Sequence, residues 1–355
     1  MKHQFDFETS PSRIVFGSGR RRDIQAEITR AGVSRALVLS TPHQTAQAEE
    51  ICEYLGERAV ATFSEAAMHT PLDVTEKAMK AFADADADCV IAIGGGSTTG
   101  LSKAIAYRNN VTQLVIPTTY AGSEVTPILG QTAGGVKTTV REVTILPDVV
   151  IYDPDLTLGL PVHISVCSGL NAIAHAVEGL YSKDRNPISS MMAVEGIRAL
   201  KSALPKIVQS PEDAEGRAEA LYGAWLCGTV LGSVGMALHH KLCHTLGGSF
   251  DLPHAEIHAI LLPHTAAFNG AAAADELSLA AALFDGNLGG GLYQFAKDLG
   301  APMSLSEFGL NQSDVGRAAE LATKHPYWNP REISRDGIQS LLSNAVDGKP
   351  PVSVI

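Results

Sequence analysis

Over the first 150 residues, short runs of consecutive apolar, largely β-branched side chains alternate with stretches whose apolar positions recur every three or four residues. Near-continuous apolar runs suit strands covered on both faces, and helix-period stretches between them suit crossovers. This half is therefore read as a parallel sheet with helices on both faces. Predicted strands are Ala36–Ser40, Ala59–Phe63, Cys89–Ile93 and Gln113–Pro117. Glycines within Pro127–Thr139 predict an antiparallel hairpin, and Val149–Tyr152 a last strand. Asp153-Pro154 and Pro161 bracket a linker. Beyond about Leu160 the β-branched runs give way to Ala/Leu-rich stretches of period 3.6. The expectation is an α/β domain over residues 1–158 and an all-α domain over residues 159–355. One uncharged run, Leu221–Leu238, has the length of a bilayer span. Gly223, Gly228, Gly232 and Gly235 dilute its apolarity, and it is read as a helix buried in the helical core.

The strand Cys89–Ile93 runs directly into Gly94-Gly95-Gly96-Ser97 and then a predicted helix through Ala106. A glycine loop at a helix N-terminus lets backbone N–H groups and the helix dipole reach a phosphate without side chains intervening. The spacing matches neither G-x-G-x-x-G nor a Walker A loop. After the next strand, Thr118-Thr119-Tyr120-Ala121-Gly122-Ser123 offers hydroxyls and a glycine where a ribose or nicotinamide would lie. Gly94, Gly95, Gly96, Ser97, Thr118, Thr119 and Ser123 are thus candidate cofactor contacts, for NADH or NADPH. The first strand ends in Ser40-Thr41-Pro42, with no acid to hold a ribose 2'-hydroxyl or repel a 2'-phosphate, so discrimination at Thr41 is expected to be weak.

Six of the twelve histidines lie between His239 and His264. His240, His244 and His254 are spaced H-x3-H-x9-H, and four-residue spacing puts the first two on one helical face. Asn171 and His175 repeat that spacing on another predicted helix. Side chains converging from several helices are what a divalent metal site in a helical domain needs; hydrogen-bonded core histidines are the alternative. His254-Ala-Glu-Ile-His258 is H-x-E-x-H and not the zinc-protease motif.

Composition narrows the class. Twenty-seven Lys and Arg against 38 Asp and Glu leave a charge of -11, the wrong sign for nucleic acid or an anionic membrane. The run Arg20-Arg21-Arg22 is read as a solvated face. Five scattered cysteines without a C-x-x-C pair indicate neither a disulfide framework nor a zinc knuckle, and with no visible signal peptide they suit a reducing cytoplasm. Cys243, beside His244, is not read as a nucleophile. An exposed sheet edge would suit a homodimer.

The Gly94–Ser97 loop, Thr118-Thr119 with Gly122-Ser123-Glu124, and the H-x3-H-x9-H spacing after an x-A-x-x-H helix resemble the iron-containing alcohol dehydrogenase family, in order and over nearly the whole chain. The resemblance implies a dehydroquinate synthase-like fold, with a dinucleotide-binding domain over residues 1–158, a helical catalytic domain over 159–355 and the active site between them. It places the family's metal ligands on Asn171, His175, His240 and His254, and His244 near the nicotinamide. The first ligand is an Asp in metal-binding members, so this site is read as degenerate, with bound metal not expected. Gly100 likewise stands where many members have Asp, and Thr41 where NAD-selective members have Asp. These departures, with the wording of Pro161 to Glu178, resemble a branch that reduces the carbon–carbon double bond of a small unsaturated oxodicarboxylate in aromatic-compound degradation.

Conjugate reduction generates a delocalised enolate that histidine, lysine or backbone donors can hold, whereas a localised alkoxide suits a Lewis acid. His240, His244, His254, His175, Asn171 and Lys241 are accordingly the candidate catalytic residues, with His244 or His240 as proton donor. The dianion requires cations or donors, for which Lys103, Tyr120 and Arg331 are the candidates. Two other readings stand beside this one. One is a metal-dependent alcohol dehydrogenase or aldehyde reductase using the Asn171 amide oxygen, and the other is a dinucleotide-binding pseudoenzyme.

Overall fold

The computed structural model describes residue 5, residues 10–134 and residues 136–352. The elements, in chain order, are β1 (Arg13–Phe16), α1 (Ile24–Arg30), β2 (Ala36–Leu39), α2 (Thr45–Leu55), β3 (Ala59–Phe63), α3 (Leu72–Asp84), β4 (Cys89–Gly94), α4 (Gly96–Asn109), β5 (Thr112–Pro117), β6 (Ile128–Ala133), β7 (Val136–Arg141) and β8 (Val149–Tyr152). There follow α5 (Val162–Tyr181), α6 (Pro187–Gln209), α7 (Ala214–Ser233), α8 (Leu238–Phe250), α9 (His254–Gly270), α10 (Ala274–Ala282), α11 (Leu288–Asp298), α12 (Val315–Thr323) and α13 (Arg335–Val346). Two compact units result. One runs to Leu160 and takes in Glu212–Leu221; the other holds residues 161–211 and 222–355.

The first unit is built on a six-stranded parallel sheet of order β1-β8-β5-β4-β2-β3, with β6 and β7 forming a separate antiparallel pair. Period-2 alternation sends successive side chains of each strand to opposite faces, and both faces are dry. Cys89, Ile91 and Ile93 of β4 pack into one apolar layer with Ile28, Val38 and Ile51, while Val90 and Ala92 join Leu37, Phe82 and Ile105 in the other. Strand β1 was not among the predicted strands. It is a four-residue edge strand that opens on Arg13, whose guanidinium pairs with Glu27 at 2.7 Å. The basic run also differs from its solvated reading. Arg21 is turned inward onto Asp153 at 2.9 Å and Glu50 at 3.0 Å, tying the turn after β1 to the end of β8.

The second unit is all-helical around α5, whose residues are buried from Ser165 to Tyr181. Such all-round burial explains why α5 reads as apolar on every face. Asn186 opens α6 with a reciprocal capping box to Ser189 and Pro187 at the first turn. The uncharged run at Leu221–Leu238 is not one helix: α7 ends at Ser233 and α8 starts at Leu238, at 94° to it. Among the described residues, no single helix is long and apolar enough to cross a membrane.

Candidate active site

In the first unit the sheet order reverses between β2 and β4, which are neighbours although β3 follows β2 in the chain. The carboxyl ends of strands at such a switch point are where open α/β sheets bind dinucleotides. Strand β4 ends on Gly94, at φ 151°, where an added Cβ would lie 2.4 Å from Thr98 Oγ1 and 2.6 Å from Gln44 Oε1. Only glycine fits. At Gly95 a Cβ would press on the Thr119 side chain at 3.0 Å, whereas at Gly96 it would meet nothing within 4 Å. Helix α4 begins at Gly96, so its unpaired N–H groups open onto that space, and the buried Thr98 hydroxyl beside it has no hydrogen-bond partner. An open cradle, a helix N-terminus and an unpartnered hydroxyl fit a dinucleotide pyrophosphate.

The neighbouring strand ends close the cradle. Gln44 donates to Thr118 Oγ1 at 2.7 Å, and Thr41 Oγ1 donates to Gln44 Oε1 at 3.0 Å. Gln44 was not a sequence candidate, though it lies two residues beyond Pro42 at the end of β2. The Ser123 carbonyl accepts from Lys103 Nζ at 2.6 Å, which fixes the second loop.

Two proposed substrate contacts are placed differently from expectation. Lys103 is fully buried, with Nζ bonded to Ser123 O, Thr126 Oγ1 and Ile128 O; burial pushes its ammonium down to about 7 against the charge of Glu124. It holds a loop and has no face for a ligand. Tyr120 is equally buried, its hydroxyl bonded to Arg217 at 3.2 Å. Arg331 lies over the Phe268 ring, 4.2 Å from its centroid, and donates to the Phe268 carbonyl at 3.1 Å. Lys241 lies over the Tyr327 ring at 5.8 Å.

In the second unit α5 carries Asn171 and His175, α8 carries His240 and His244, and α9 begins at His254. His175 Nδ1 stands 2.9 Å from His240 Nε2, and the His244 and His254 rings stack with centroids 6.3 Å apart. Behind His240 lies Glu178, fully buried and one turn along α5 from His175. Its carboxylate meets His240 Nδ1 at 2.5 Å and accepts backbone N–H groups from Ala237, His239 and His240 at the start of α8. Burial works to raise this carboxyl. The hydrogen bond and charge of His240, the nearby His239 and the Ala237 amide outweigh it, leaving it at about 2.

Donor accounting fixes the tautomers. Ionised Glu178 only accepts, so His240 Nδ1 carries a proton and donates it to Glu178, while Nε2 faces His175. Thr265 Oγ1 donates to the Leu261 carbonyl, so it accepts from His239 Nδ1, and His239 Nε2 in turn accepts from His258 Nδ1 at 2.9 Å. Burial foremost holds His239 down to about 3 and His258 well below the usual histidine value, so both stay neutral. His258 Nε2 and Asn171 Oδ1 are left as buried acceptors without a partner. His239, His258 and Glu178 had not been singled out. The signal for Glu178 was a lone acid in an otherwise apolar helix, a position occupied only when the charge is paired.

Asn171, with its unpartnered amide oxygen, and His175 one turn further along α5, together with His240, which is braced by a carboxylate and stands 2.9 Å from His175, are donor types that bind a divalent cation. It contributes no anionic oxygen of its own at Asn171.

Comparison with known proteins follows the same outline. Residues 11–154 match the family model described as iron-containing alcohol dehydrogenase, and residues 165–346 match that of the C-terminal part of the Fe-containing alcohol dehydrogenase family. The chain is 60% identical to a maleylacetate reductase of Rhizobium sp. (strain MTP-10005), over 98% of this chain and 99% of that one. It is 52% identical to a maleylacetate reductase of Sphingobium indicum, over 99% of each. The crystal structure of maleylacetate reductase from Agrobacterium tumefaciens superposes with a TM-score of 0.96 at 60% identity, covering 99% of this chain and 100% of that one.

Two outcomes follow from the buried carboxylate and the neutral amide. Glu178 lies below its ordinary 4.5 in the folded state, so its contribution is complete above that pH and is lost as pH falls toward 2. Glu178→Gln should flatten stability against pH in that window and cost about 3–5 kcal/mol near neutrality, measured by chemical denaturation. Asn171→Asp should bind iron or zinc about tenfold more tightly or better, measured as metal content after equilibrium dialysis.

Proposed function

Since the chain belongs to the iron-containing alcohol dehydrogenase family, we propose that it is an NADH- or NADPH-dependent oxidoreductase reducing the carbon–carbon double bond of maleylacetate to 3-oxoadipate, a step of aromatic-compound degradation. The observation that carries this reading is full-length identity of 60% to a maleylacetate reductase, together with an amide at Asn171 where metal-binding members of the family hold an acid.

The residues divide the work. The Gly94–Gly96 loop and the α4 N-terminus bind the pyrophosphate, and Thr41 and Gln44 put no carboxylate where a 2'-phosphate would lie, so either nicotinamide cofactor is accepted. Bound nicotinamide supplies the hydride, and a divalent cation, held by Asn171, His175, His240 and His254, would supply a Lewis acid. The proposed reaction proceeds without that cation. The alkene carbon farther from the ketone receives the hydride, and the electron pair moves into an enolate spread over carbon and oxygen. Histidine N–H groups hold such a charge, and His240 is suited to it because the Glu178 carboxylate fixes its ring through Nδ1 and lies behind it as a counter-charge. The carbon next to the ketone then takes a proton from His244 or His240, completing addition of hydride and proton. His239 and His258, kept neutral by burial, position the pair without titrating.

A second reading, metal-assisted carbonyl reduction, draws support from the unpartnered Asn171 Oδ1. The assay separates the two. Chelator-treated protein should oxidise NADH or NADPH with maleylacetate and leave simple aldehydes untouched; activity on aldehydes alone, restored by iron or zinc, would establish the second reading. His240→Ala, His244→Ala and His254→Ala should each lower kcat by about 10²–10⁴-fold with little change in nicotinamide affinity, measured by steady-state kinetics and cofactor fluorescence.

A further inference from the structure

Helix α5 carries another pair at four-residue spacing, His163 and Cys167, near its N-terminus, and Glu256 lies in the first turn of α9. His163 Nε2 is 3.2 Å from Glu256 Oε1, and the same nitrogen is 3.9 Å from Cys167 Sγ. The three donor atoms all lie within 4.8 Å of one another. We propose that His163, Cys167 and Glu256 form a second site for a zinc-class divalent cation, bound through Nε2, Sγ and a carboxylate oxygen, with water completing a tetrahedron.

Four observations support the assignment. Ligands at ordinary zinc distances in a tetrahedron stand roughly 3.3–3.6 Å apart, and the two measured separations bracket that range. His163 Nε2 faces both the Glu256 carboxylate and the Cys167 sulfur, so the three donor atoms converge on one point. Thiolate and carboxylate together neutralise a dication, unlike the neutral set at Asn171, and sulfur selects zinc-like metals over magnesium or calcium. His163 is exposed while Cys167 is buried, so an ion has a way in and its sulfur ligand is shielded from bulk water. The other sulfur-containing cluster among the described residues, His239, Cys243 and His258, lacks this access: all three are buried, and its imidazoles are already paired at 2.9 Å.

As an isolated ion pair, His163–Glu256 would contribute little at so exposed a position. Burial pushes the Cys167 thiol up to about 12, with Glu256 adding to the effect, so the free site holds a protonated sulfur. Cation binding forms the metal–sulfur bond and releases that proton to solvent, which makes affinity rise with pH. The site does not depend on the proposed reaction.

The test is titration of chelator-treated, full-length protein with cobalt(II) and with zinc(II). Wild type should develop a sulfur-to-cobalt charge-transfer band saturating at about one equivalent and release about one proton per zinc by calorimetry in buffers of different ionisation enthalpy. Cys167→Ser should abolish the band and weaken zinc binding about a hundredfold, while Cys243→Ser and Asn171→Ala keep the band. His163→Gln, an exposed position where folding is not at stake, should weaken zinc as well. No thiolate band in wild type, a band that survives Cys167→Ser, or one lost only with Cys243→Ser would overturn the proposal.

Discussion

The helical unit is organised by one buried anion. Glu178 sits in a helix with no other charge between Ser165 and Tyr181, and its donors are the Ala237, His239 and His240 amides and the His240 ring at the start of α8, joined by the Tyr181 hydroxyl of its own helix at 3.2 Å. A carboxylate at a helix N-terminus satisfies N–H groups that would otherwise be orphaned and sits at the favourable end of the dipole. The same carboxylate orients the His240 ring. The turn between α7 and α8, the direction of α8 and the tautomer of His240 are thus three consequences of one charge. A buried charge is stable only with such a complete set of partners.

The cofactor side rests on a different constraint, the parallel sheet. Because both faces of the sheet interior are covered, the strand ends are where its central strands can carry polar groups, and the order reversal between β2 and β4 leaves room for a ligand there. Gly94 and Gly96 do separate jobs. The first accommodates a backbone conformation and a close approach that no side chain allows, and the second leaves the helix N-terminus open. Lys103 and Tyr120 support this surface from beneath; their chemistry is spent on carbonyls and on Arg217.

Much of this was legible in the sequence, for physical reasons that differ from element to element. The strands β2, β4 and β5 are buried on both faces, so their apolar runs are continuous, while β3, at the sheet edge, is only half-buried. The edge strand β1 is short and begins with a paired arginine, which erases that signal. The break between α7 and α8 was hidden because an uncharged run looks the same whether or not it bends, and its cause, Glu178, lies some sixty residues upstream. The four-residue spacings found His175, His240 and His244, since helical periodicity brings such pairs to one face. His239 and His258 escaped because their role depends on a chain of hydrogen bonds between α8 and α9 that ends at Thr265. Lys103 was open to reading as a substrate contact or as a structural partner, and the structure gives the second, with two backbone carbonyls and the Thr126 hydroxyl as partners that carry no sequence signature.

The central claim is that the histidine cluster manages an enolate and not an alkoxide. Reduction of maleylacetate with cofactor deuterated at the transferred position, followed by NMR of the product, locates the delivered hydride. Deuterium on the former alkene carbon farther from an intact ketone, with the adjacent carbon protonated from solvent, is the predicted result. Deuterium on a newly formed carbinol carbon would contradict the account.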